Sequence, residues 1–553
     1  MKKHKEYSFL DLSKIGEEIL SFWNNNSVFD KSIADPLRPE NFTFYEGPPS
    51  ANGMPGIHHV IARTIKDLFC RYKTLKGYTV NRKAGWDTHG LPVELGVEKE
   101  MGLTKEDIGT KISIEDYNKA CRVNVMKYKK SWEEITSQMG YWVDMKNPYV
   151  TYDNKYIESV WWLLKQLHEK KLLYKGHTIQ PFSPKAGTGL STHELNQPGC
   201  YKNVKDTSAV AQFQIIKDKK SQFLFEKTNH SIYFLAWTTT PWTLPSNTAL
   251  AVGNKIIYSL IETVNQYSGK KNSIIIAKDL LGKFFKKENN SLDFENYNIG
   301  DKNLPYNIVD EFLGENLVGI NYDQLLKYAQ PNNGDAFRVL SGDFVTTEDG
   351  TGIVHLAPSF GADDNRVAKQ NGIGSLTLVD QQGRFTEEVS DFKGQFVKDE
   401  YYGENDEKPT LSADIQIVIK LKDKGLLFNS EKYEHSYPHC WRTDKPILYY
   451  PLDSWFVKTT DHKKRMLELN KTINWKPAST GEGRFGNWLE NLVDWNLSRS
   501  RFWGVPLPIW RTEDGDEELC VGSLEELKHE IDKSVDIGFM KTNPLKDFII
   551  GDF

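Results

Sequence analysis

The chain is short of cysteine and of long apolar runs, and both shortages exclude classes of protein. Its 553 residues include five cysteines, an odd number, and these are widely scattered. No two are spaced as a metal clamp, and a secreted disulfide framework is not expected. No apolar run approaches the roughly 20 residues that span a bilayer. The basic first residues lead into no apolar segment, so we expect no signal peptide, no membrane association and a cytoplasmic location.

The chain also lacks a strong excess of either charge. Its net charge is −5, from 70 Lys and Arg against 75 Asp and Glu. This balance argues against a generally basic coat for nucleic acid, although basic residues gathered on one face would still bind it. Hydrophobic content of 39% and charged content of 26% are those of an ordinary globular protein. The length predicts about two to four domains.

A strand, a turn and a helix follow one another early in the chain. Phe42–Tyr45 is a short β-favouring run, and residues 47–56 are rich in glycine, proline and asparagine. Extended structure resumes at Tyr78, after a stop at Gly77. This pattern predicts a βαβ unit whose turn lies at a helix N-terminus, where free N–H groups and the helix dipole favour anions. The apolar residues of the helix recur every three or four positions, as on one face: Ile61, Ile65, Leu68, Tyr72 and Leu75.

Three linked motifs in this region are those of a known family. They are GPPSANG at 47–53, GIHH at 56–59 and GWDTHGLPVE at 85–94. The chain thereby resembles class I aminoacyl-tRNA synthetases and, among the isoleucine, valine and leucine enzymes, the isoleucine group. The family normally shows His-x-Gly-His in the second motif, whereas here the outer His and the inner Gly have changed places. Valyl and leucyl enzymes are the nearest alternatives, and GWDTHGLPVE with the later SRSRFWGVPLPIW argues against both.

The resemblance implies an α/β fold with a Rossmann-like nucleotide-binding domain split by an inserted β-rich, barrel-like editing domain. The sequence agrees, since β-favouring runs alternate with polar turns over 203–434. We expect 1–202 to hold an amphipathic helix at 8–31 and the first half of the catalytic domain. We expect 203–434 to be the editing domain and 435–553 to start the second half. The family's KMSKS loop and anticodon-binding domain do not occur in the sequence, so we expect an N-terminal fragment.

The implied reaction is attack of the isoleucine carboxylate on the α-phosphorus of ATP, with Mg²⁺, followed by transfer to isoleucine tRNA. Little covalent chemistry falls to the protein, so positioning and charge stabilisation carry the rate. By motif match, His58 and His59 are the catalytic imidazoles, and they share the ATP site with Gly56. Outside this motif, a pair of histidines would be interpreted as ordinary turn residues.

The amino acid needs an anion for its ammonium group and an apolar wall for its side chain. By motif match Asp87 is the carboxylate, and Pro48 and Trp503 are wall residues. A tryptophan alone, among 15 in the chain, would be interpreted as a core aromatic. Its position in SRSRFWG reverses that interpretation.

A second, hydrolytic site is expected because isoleucine and valine differ by one methylene, the standard example of a difference that binding alone discriminates poorly. WTTTPWT at 237–243 offers hydroxyls for the terminal ribose and a water, although three threonines alone would suit any strand edge. GTGIVHLAPSFGADD at 350–364 is the second motif. By motif match, the Asp364 carboxylate holds the ammonium group of the mischarged amino acid. The His355 imidazole narrows the pocket so that isoleucine is excluded. The candidate editing residues are Thr238, Thr239, Thr240, Thr243, Asn247, His355 and Asp364.

The family commonly binds zinc through four cysteines near the editing domain. The matching positions here are Ser183, Ala186, Cys440 and Thr443. One thiolate cannot make a tetrahedral zinc site, so we predict no metal there. We also expect a monomer.

Two further interpretations remain open. One is a hydrolase that only deacylates mischarged tRNA. The other is a non-catalytic tRNA-binding module, which the retained site residues disfavour. The exchanged glycine and histidine resemble a branch of bacterial isoleucine enzymes, which implies insensitivity to mupirocin, an inhibitor that occupies the adenylate site.

Overall fold

A computed structural model describes residues 9–34, 37–301, 303–404 and 406–550. The chain forms two compact units. The first comprises the chain up to Tyr174, Val457–Leu492 and the chain from Arg501; the second comprises Lys175–Phe456 and Val493–Ser500. The predicted segment 203–434 lies wholly within the second unit, and its boundaries as a domain stay a prediction. Over the described ranges, no helix has both the length and the apolar character needed to cross a membrane.

A parallel sheet forms the centre of the first unit. Its strands are β1 (Glu40–Tyr45), β2 (Tyr78–Trp86) and β3 (Asp144–Val150), in the order β1-β2-β3. Both pairings are parallel, as crossover connections through helices require. The helices of this part are α1 (Leu12–Asn25), α2 (Val28–Ile33), α3 (Ile57–Leu75), α4 (Leu91–Met101), α5 (Ile114–Val125), α6 (Lys129–Gln138) and α7 (Asn154–Glu169).

The predicted βαβ unit is confirmed by β1, α3 and β2. The helix ends at Leu75, and Gly77 has a φ of +95°, which glycine adopts without steric cost. The periodic apolar residues do share one face of α3, but that face is between 52% and 85% exposed. The helix instead buries Arg63, Cys70 and Thr74.

The predicted helix over residues 8–31 is interrupted. Its residue 8 lies outside the described residues, and α1 begins at Leu12. Ser27 has a φ of 49°, in the left-handed region, and this break separates α1 from α2.

Gly85, the first residue of the third motif, allows two strands to approach closely. A Cβ added at this position would lie 2.3 Å from Cζ of Tyr149 on β3. The Tyr149 hydroxyl donates to the carbonyl oxygen of Glu46 at 2.6 Å. Glycine is therefore required where the tyrosine ring crosses β2.

The second unit is built from three sheets. The strands are β4 (Leu173–Ser183), β5 (Thr188–Gly189), β6 (Tyr201–Gln214), β7 (Ile232–Thr238), β8 (Ala249–Val252), β9 (Ile257–Val264), β10 (Lys271–Ala277), β11 (Tyr306–Leu313), β12 (Arg338–Ser341), β13 (Ile353–Leu356), β14 (Leu427–Pro438), β15 (Leu448–Val457) and β16 (Trp495–Asn496). Their orders in the three sheets are β11-β9-β10-β7-β6-β14, β12-β8-β13 and β16-β15-β4-β5.

The helices of this unit are α8 (Thr192–Leu195), α9 (Gln222–Phe225), α10 (Leu281–Phe284), α11 (Ala362–Gln370) and α12 (Ala413–Asp423).

The β-rich character predicted for 203–434 is confirmed. The central strands are almost entirely buried, as their continuous apolar runs require: β10 exposes only Lys271, and β8 exposes no residue. Among the described residues the strand pairings do not close into a ring, so the barrel-like part is a pair of open sheets.

The remaining elements belong to the first unit. Helices α13 (Lys463–Asn470) and α14 (Phe485–Glu490) precede a short antiparallel pair, β17 (Ile509–Arg511) and β18 (Glu518–Cys520). The last helix is α15 (Leu524–Asp536).

Candidate functional site

The loop before α3 is held by hydrogen bonds to its backbone. The Trp132 Nε1–H donates to the carbonyl oxygen of Gly53 at 2.8 Å, and the Tyr128 N–H donates to that of Ala51 at 2.9 Å. The Asp87 N–H donates to the carbonyl oxygen of Pro49 at 3.0 Å. The last bond brings the predicted ammonium-binding residue next to the proline pair that contains Pro48.

Two imidazoles lie on the first turn of α3, which begins after Gly56. The Gly56 N–H donates to Nδ1 of His59 at 2.9 Å, and the ring centroids of His58 and His59 are 3.8 Å apart. Because Nδ1 accepts this bond, the neutral His59 ring carries its hydrogen on Nε2. Burial, followed by the positive charges of His58 and Arg63, lowers the pKa of His59. The turn therefore presents a neutral N–H donor beside the exposed ring of His58.

Gly56 and His58 depend on each other sterically. A Cβ at position 56 would lie 2.9 Å from Cε1 and 3.0 Å from Nδ1 of His58. Contacts this short are essentially absent from real structures, so any larger residue at 56 must displace the imidazole. The exchange of glycine and histidine in the motif is thus self-consistent.

Trp503 contacts Thr88 and His89, the two residues that follow Asp87. The Trp503 Nε1–H donates to the carbonyl oxygen of Thr88 at 2.6 Å, and the ring lies 5.3 Å from that of His89. Surrounding protein raises the pKa of the Asp87 carboxyl, and the His89 N–H opposes this rise. Trp503 is only 7% exposed and packs with Val93 and other apolar residues. It is therefore a core aromatic that is bonded to the residue following the predicted ammonium-binding Asp87.

Glu94 and Arg501 hold Trp503 in place, and sequence reasoning missed both. Oε1 of Glu94 accepts the N–H groups of Phe502 and Trp503, each at 3.0 Å. Nε of Arg501 donates to Glu94 Oε2 at 2.9 Å, and Nη2 of Arg501 pairs with Oε1 of Glu98. The available signal was their position inside the two quoted motifs, GLPVE and SRSRFWG.

A cavity of about 430 Å³ in the second unit collects most of the candidate editing residues. It lies where β7, β13 and α11 approach one another. The predicted residues that line it are Thr238, Thr239, Thr240, Thr243, His355 and Asp364; the lining residues that were not predicted include Trp237, Phe344, Phe360 and Gly361.

The threonine hydroxyls form an ordered network at this cavity. The Thr240 N–H donates to the Thr238 hydroxyl at 3.0 Å. The Thr243 hydroxyl donates its one hydrogen to the carbonyl oxygen of Thr240 at 2.8 Å. Nε2 of His355 lies 3.0 Å from the same hydroxyl, so Nε2 must carry the hydrogen of this bond.

His355 is a neutral acceptor as well as a wall of the cavity. Burial lowers its pKa to about 4, so the ring is uncharged at neutral pH. Its Nδ1 is buried and has no hydrogen-bond partner within the part of the chain that the structure describes. One lone pair of the ring is therefore left without a hydrogen bond within the described chain.

Asp364 is a half-buried carboxylate on the first turn of α11. Its Oδ2 accepts the Ala357 N–H at 2.8 Å. Burial raises its pKa to about 6, and the Ala357 hydrogen bond opposes the rise. The group is therefore mostly ionised at neutral pH and can pair with an ammonium group. Gly361 makes room for it, because a Cβ there would lie 2.7 Å from Cγ of Asp364.

Asn247 does not join the other editing candidates. It is 2% exposed and is absent from the residues that line the cavity. Its Nδ2 donates to the carbonyl oxygen of Ala249 at 2.8 Å, and its Oδ1 accepts the Tyr322 hydroxyl at 2.7 Å. The structure gives this amide a packing role.

Comparison with known proteins identifies the family of the chain. The sequence profile of the family described as tRNA synthetases class I (I, L, M and V) matches residues 18–548. The chain belongs to the class I tRNA synthetases. It is 60% identical to an isoleucine–tRNA ligase of Cytophaga hutchinsonii over 97% of this chain and 49% of that relative.

Two further relatives are similar. An isoleucine–tRNA ligase of Bacteroides thetaiotaomicron is 56% identical over 100% of the chain and 51% of the relative. One of Porphyromonas gingivalis is 54% identical over 99% of the chain and 50% of the relative. This class I synthetase chain thus spans about half the length of the curated relatives it matches.

The positions considered for zinc differ in their surroundings. The Thr443 hydroxyl oxygen is buried and has no hydrogen-bond partner among the described residues, whereas Ser183 and Cys440 have protein contacts. The Ser183 hydroxyl accepts the Ala186 N–H at 3.2 Å. Cys440 is 1% exposed and packs with Leu190, Leu195 and Ile447. The absence of zinc from this synthetase chain stays a prediction.

Proposed function

We propose that this chain carries the nucleotide-binding and editing parts of an isoleucine–tRNA ligase. The proposed reaction joins isoleucine to ATP, releases pyrophosphate and passes the aminoacyl group to isoleucine tRNA. The observation that carries the proposal is Asp87, which is bonded to Pro49 on one side and reaches Trp503 through Thr88 on the other. The name of the relatives supports isoleucine as the amino acid.

In the proposed activation step, Asp87 binds the ammonium group of the amino acid beside the wall residues Pro48 and Trp503. The carboxylate of isoleucine then attacks the α-phosphorus of ATP, with Mg²⁺ as the cation of the nucleotide. His59 Nε2–H and the imidazole of His58 lie at the start of α3, where donors and the helix dipole stabilise charge that moves onto the pyrophosphate.

The test of activation uses isoleucine-dependent exchange between ATP and pyrophosphate. We expect exchange in a protein with the full length of the curated relatives and little or none in this chain. Asp87→Asn in that full-length protein should abolish exchange by removing the negative partner of the ammonium group. Exchange that depends on valine rather than isoleucine would contradict the amino-acid assignment.

We further propose that the cavity of the second unit hydrolyses valyl-tRNA. Asp364 binds the ammonium group of the mischarged amino acid, the Thr238–Thr243 hydroxyls hold the terminal ribose and a water, and His355 limits the side chain that enters. No nucleophilic residue or metal is required, because the ester is already activated and a positioned water suffices.

Hydrolysis of valyl-tRNA by this chain tests the editing proposal. We expect Asp364→Ala to abolish hydrolysis. Asp363→Ala is the matched control, since Asp363 is the neighbouring carboxylate and pairs with Arg366 on the surface at 3.1 Å. If both variants hydrolyse valyl-tRNA at the wild-type rate, the cavity is not the editing site.

Deacylation alone is the second candidate function. The cavity and its six predicted residues lie within this chain, which favours hydrolysis without activation. A full-length protein that deacylates valyl-tRNA but shows no isoleucine-dependent exchange would establish this alternative. Exchange between ATP and pyrophosphate that depends on valine would instead indicate a valyl-tRNA synthetase.

We also propose insensitivity to mupirocin, on the basis of the exchanged Gly56 and His58. Gly56→His together with His58→Gly should restore sensitivity in the full-length enzyme while keeping turnover. Gly56→His alone should displace the His58 ring, because a Cβ at position 56 would lie 2.9 Å from Cε1 of His58. Unchanged inhibition in the double variant would refute the proposal. We propose in addition that the protein is a cytoplasmic monomer that binds neither zinc nor a membrane.

A further inference from the structure

A buried charge cluster lies in the second unit, outside the cavity. Nζ of Lys398 is 2.7 Å from Oδ2 of Asp206 and 4.0 Å from Oδ2 of Asp414, and it lies over the ring of Tyr437 at 4.8 Å. Nε2 of His435 is 3.3 Å from Oδ2 of Asp206. The side chains of Lys398 and Asp414 are 6% and 8% exposed. Groups this buried are costly unless each is paired, so the cluster has a defined geometry.

The cluster has one hydrogen bond that leads to the cavity. Oδ1 of Asp414, on the first turn of α12, accepts the N–H of Trp242 at 2.9 Å. Trp242 belongs to the 3-10 helical turn Pro241–Ser246, which follows the threonine run. The N–H groups at the start of a helical turn have no partner within the turn. A carboxylate from a distant helix therefore caps this one.

The capped turn carries the Thr243–His355 pair. Thr243 is the next residue after Trp242, and its N–H and hydroxyl both donate to the carbonyl oxygen of Thr240, at 3.0 and 2.8 Å. The Trp242 ring packs edge-on against Phe360, a wall of the cavity, at 5.1 Å between centroids. A shift of Trp242 thus moves a hydroxyl and an aromatic wall of the cavity together.

We propose that Asp414, paired with Lys398, is a positioning residue for the hydrolytic cavity: it fixes the turn at Trp242 and so holds the Thr243 hydroxyl against His355. This inference rests on the proposed editing function. Burial raises the pKa of Asp414 to about 7, and the Lys398 ammonium opposes this rise, so the pairing favours the charged form of the acceptor. A charged acceptor makes a stronger hydrogen bond to an N–H than a neutral one does.

The test compares three variants of this chain in steady-state hydrolysis of valyl-tRNA. We expect Asp414→Ala to lower kcat at least about tenfold with little change in KM, because a small misplacement of catalytic groups is costly. Asp414→Asn keeps an oxygen that accepts the Trp242 N–H, so its kcat should stay within about threefold of the wild type. Ser412→Ala is the matched control: it removes the N-cap of the same helix, which accepts the Ile415 N–H at 3.4 Å, and Ser412 makes no bond to Trp242.

A double variant separates positioning from loss of stability. If Asp414 acts through Thr243, the variant carrying Thr243→Ala and Asp414→Ala should hydrolyse at the rate of Thr243→Ala alone. Multiplicative loss in the double variant would overturn the proposal, as would equal rates for Asp414→Ala and Ser412→Ala. Thermal unfolding of each variant shows that the folded protein is being compared.

Failure of the two proposals is distinguishable. Absence of valyl-tRNA hydrolysis in the wild-type chain overturns the editing function and the positioning role with it. Hydrolysis that is lost in Asp364→Ala but unchanged in Asp414→Ala keeps the editing function and overturns only the positioning role.

Discussion

Gly361 leaves the space that the Asp364 carboxylate occupies. Its φ of −142° suits any residue, so the reason for glycine is the approach of Cγ of Asp364 to 2.7 Å from an added Cβ. We expect Gly361→Ala to displace the carboxylate and to lower valyl-tRNA hydrolysis about tenfold, with the larger change in KM because the ammonium contact is lost. Steady-state kinetics measure this effect.

Gly282→Ala is the control for this prediction. Gly282 lies in α10 of the same unit, and a Cβ there meets nothing within 4 Å. We expect hydrolysis at the wild-type rate. Equal losses in the two variants would show that glycine at 361 has no specific role.

Asp364 also predicts a pH dependence. Its pKa is raised to about 6, above the ordinary value of 3.8, and only the ionised form binds an ammonium group. We expect hydrolysis, corrected for the uncatalysed rate, to fall as the pH decreases through about 6. The folded protein binds this proton more tightly than the unfolded chain does, because the pKa is raised on folding. Protonation of Asp364 therefore increases the free energy of unfolding as the pH falls, so a loss of hydrolysis is not a loss of stability. A rate that is constant from pH 7 to pH 5 would contradict the assigned role.

At the scale of the element, α4 is tied to the segment around Trp503 by a buried ion pair. The side chains of Arg501 and Glu94 are 5% and 1% exposed. We expect Glu94→Ala to lower the free energy of unfolding by about 3 kcal/mol, since it leaves Arg501 short of a partner and two N–H groups without an acceptor. Urea unfolding of this chain measures the change.

Glu100 provides the matched control on the same helix. It pairs with Lys127 at the surface, where the two side chains are 57% and 48% exposed. We expect Glu100→Ala to leave the free energy of unfolding almost unchanged. Similar losses for both glutamates would mean that the buried pair does not stabilise the unit.

The elements could be predicted to different depths. The βαβ unit and the central strands of the second unit follow from local periodicity, and turn residues mark their ends. The Thr238–Thr243 cluster was also accessible, because its members are adjacent in the sequence. The cap on Trp242 was not, since Asp414 lies 172 positions away and nothing local indicates the pairing. Asn247 was a candidate for the cavity, whereas its side chain hydrogen-bonds to the Ala249 carbonyl and the Tyr322 hydroxyl and does not line the cavity.

At the scale of the whole molecule, the apolar core of the second unit extends past 203–434. Phe182, Leu448 and Tyr450 are buried in it, and the Tyr450 ring is 6.3 Å from Phe360. We expect residues 175–456, expressed alone, to unfold cooperatively and to keep hydrolysis. Residues 203–434 should be less stable by several kcal/mol, about the cost of removing large buried side chains. Urea unfolding midpoints compare the two fragments, and equal midpoints would show that 203–434 folds independently.

All five cysteines are free and buried, and both units contain some of them. Cys70, Cys121 and Cys520 belong to the first unit, and Cys200 and Cys440 to the second. Burial raises the pKa of Cys121 to about 12 and that of Cys520 to about 11, which suppresses the thiolate. The native chain should therefore be inert to alkylating reagents, and each unit becomes labelled only when it opens. Alkylation of the thiols over time therefore reports local unfolding: the mass of each labelled peptide shows which unit has opened and at what time.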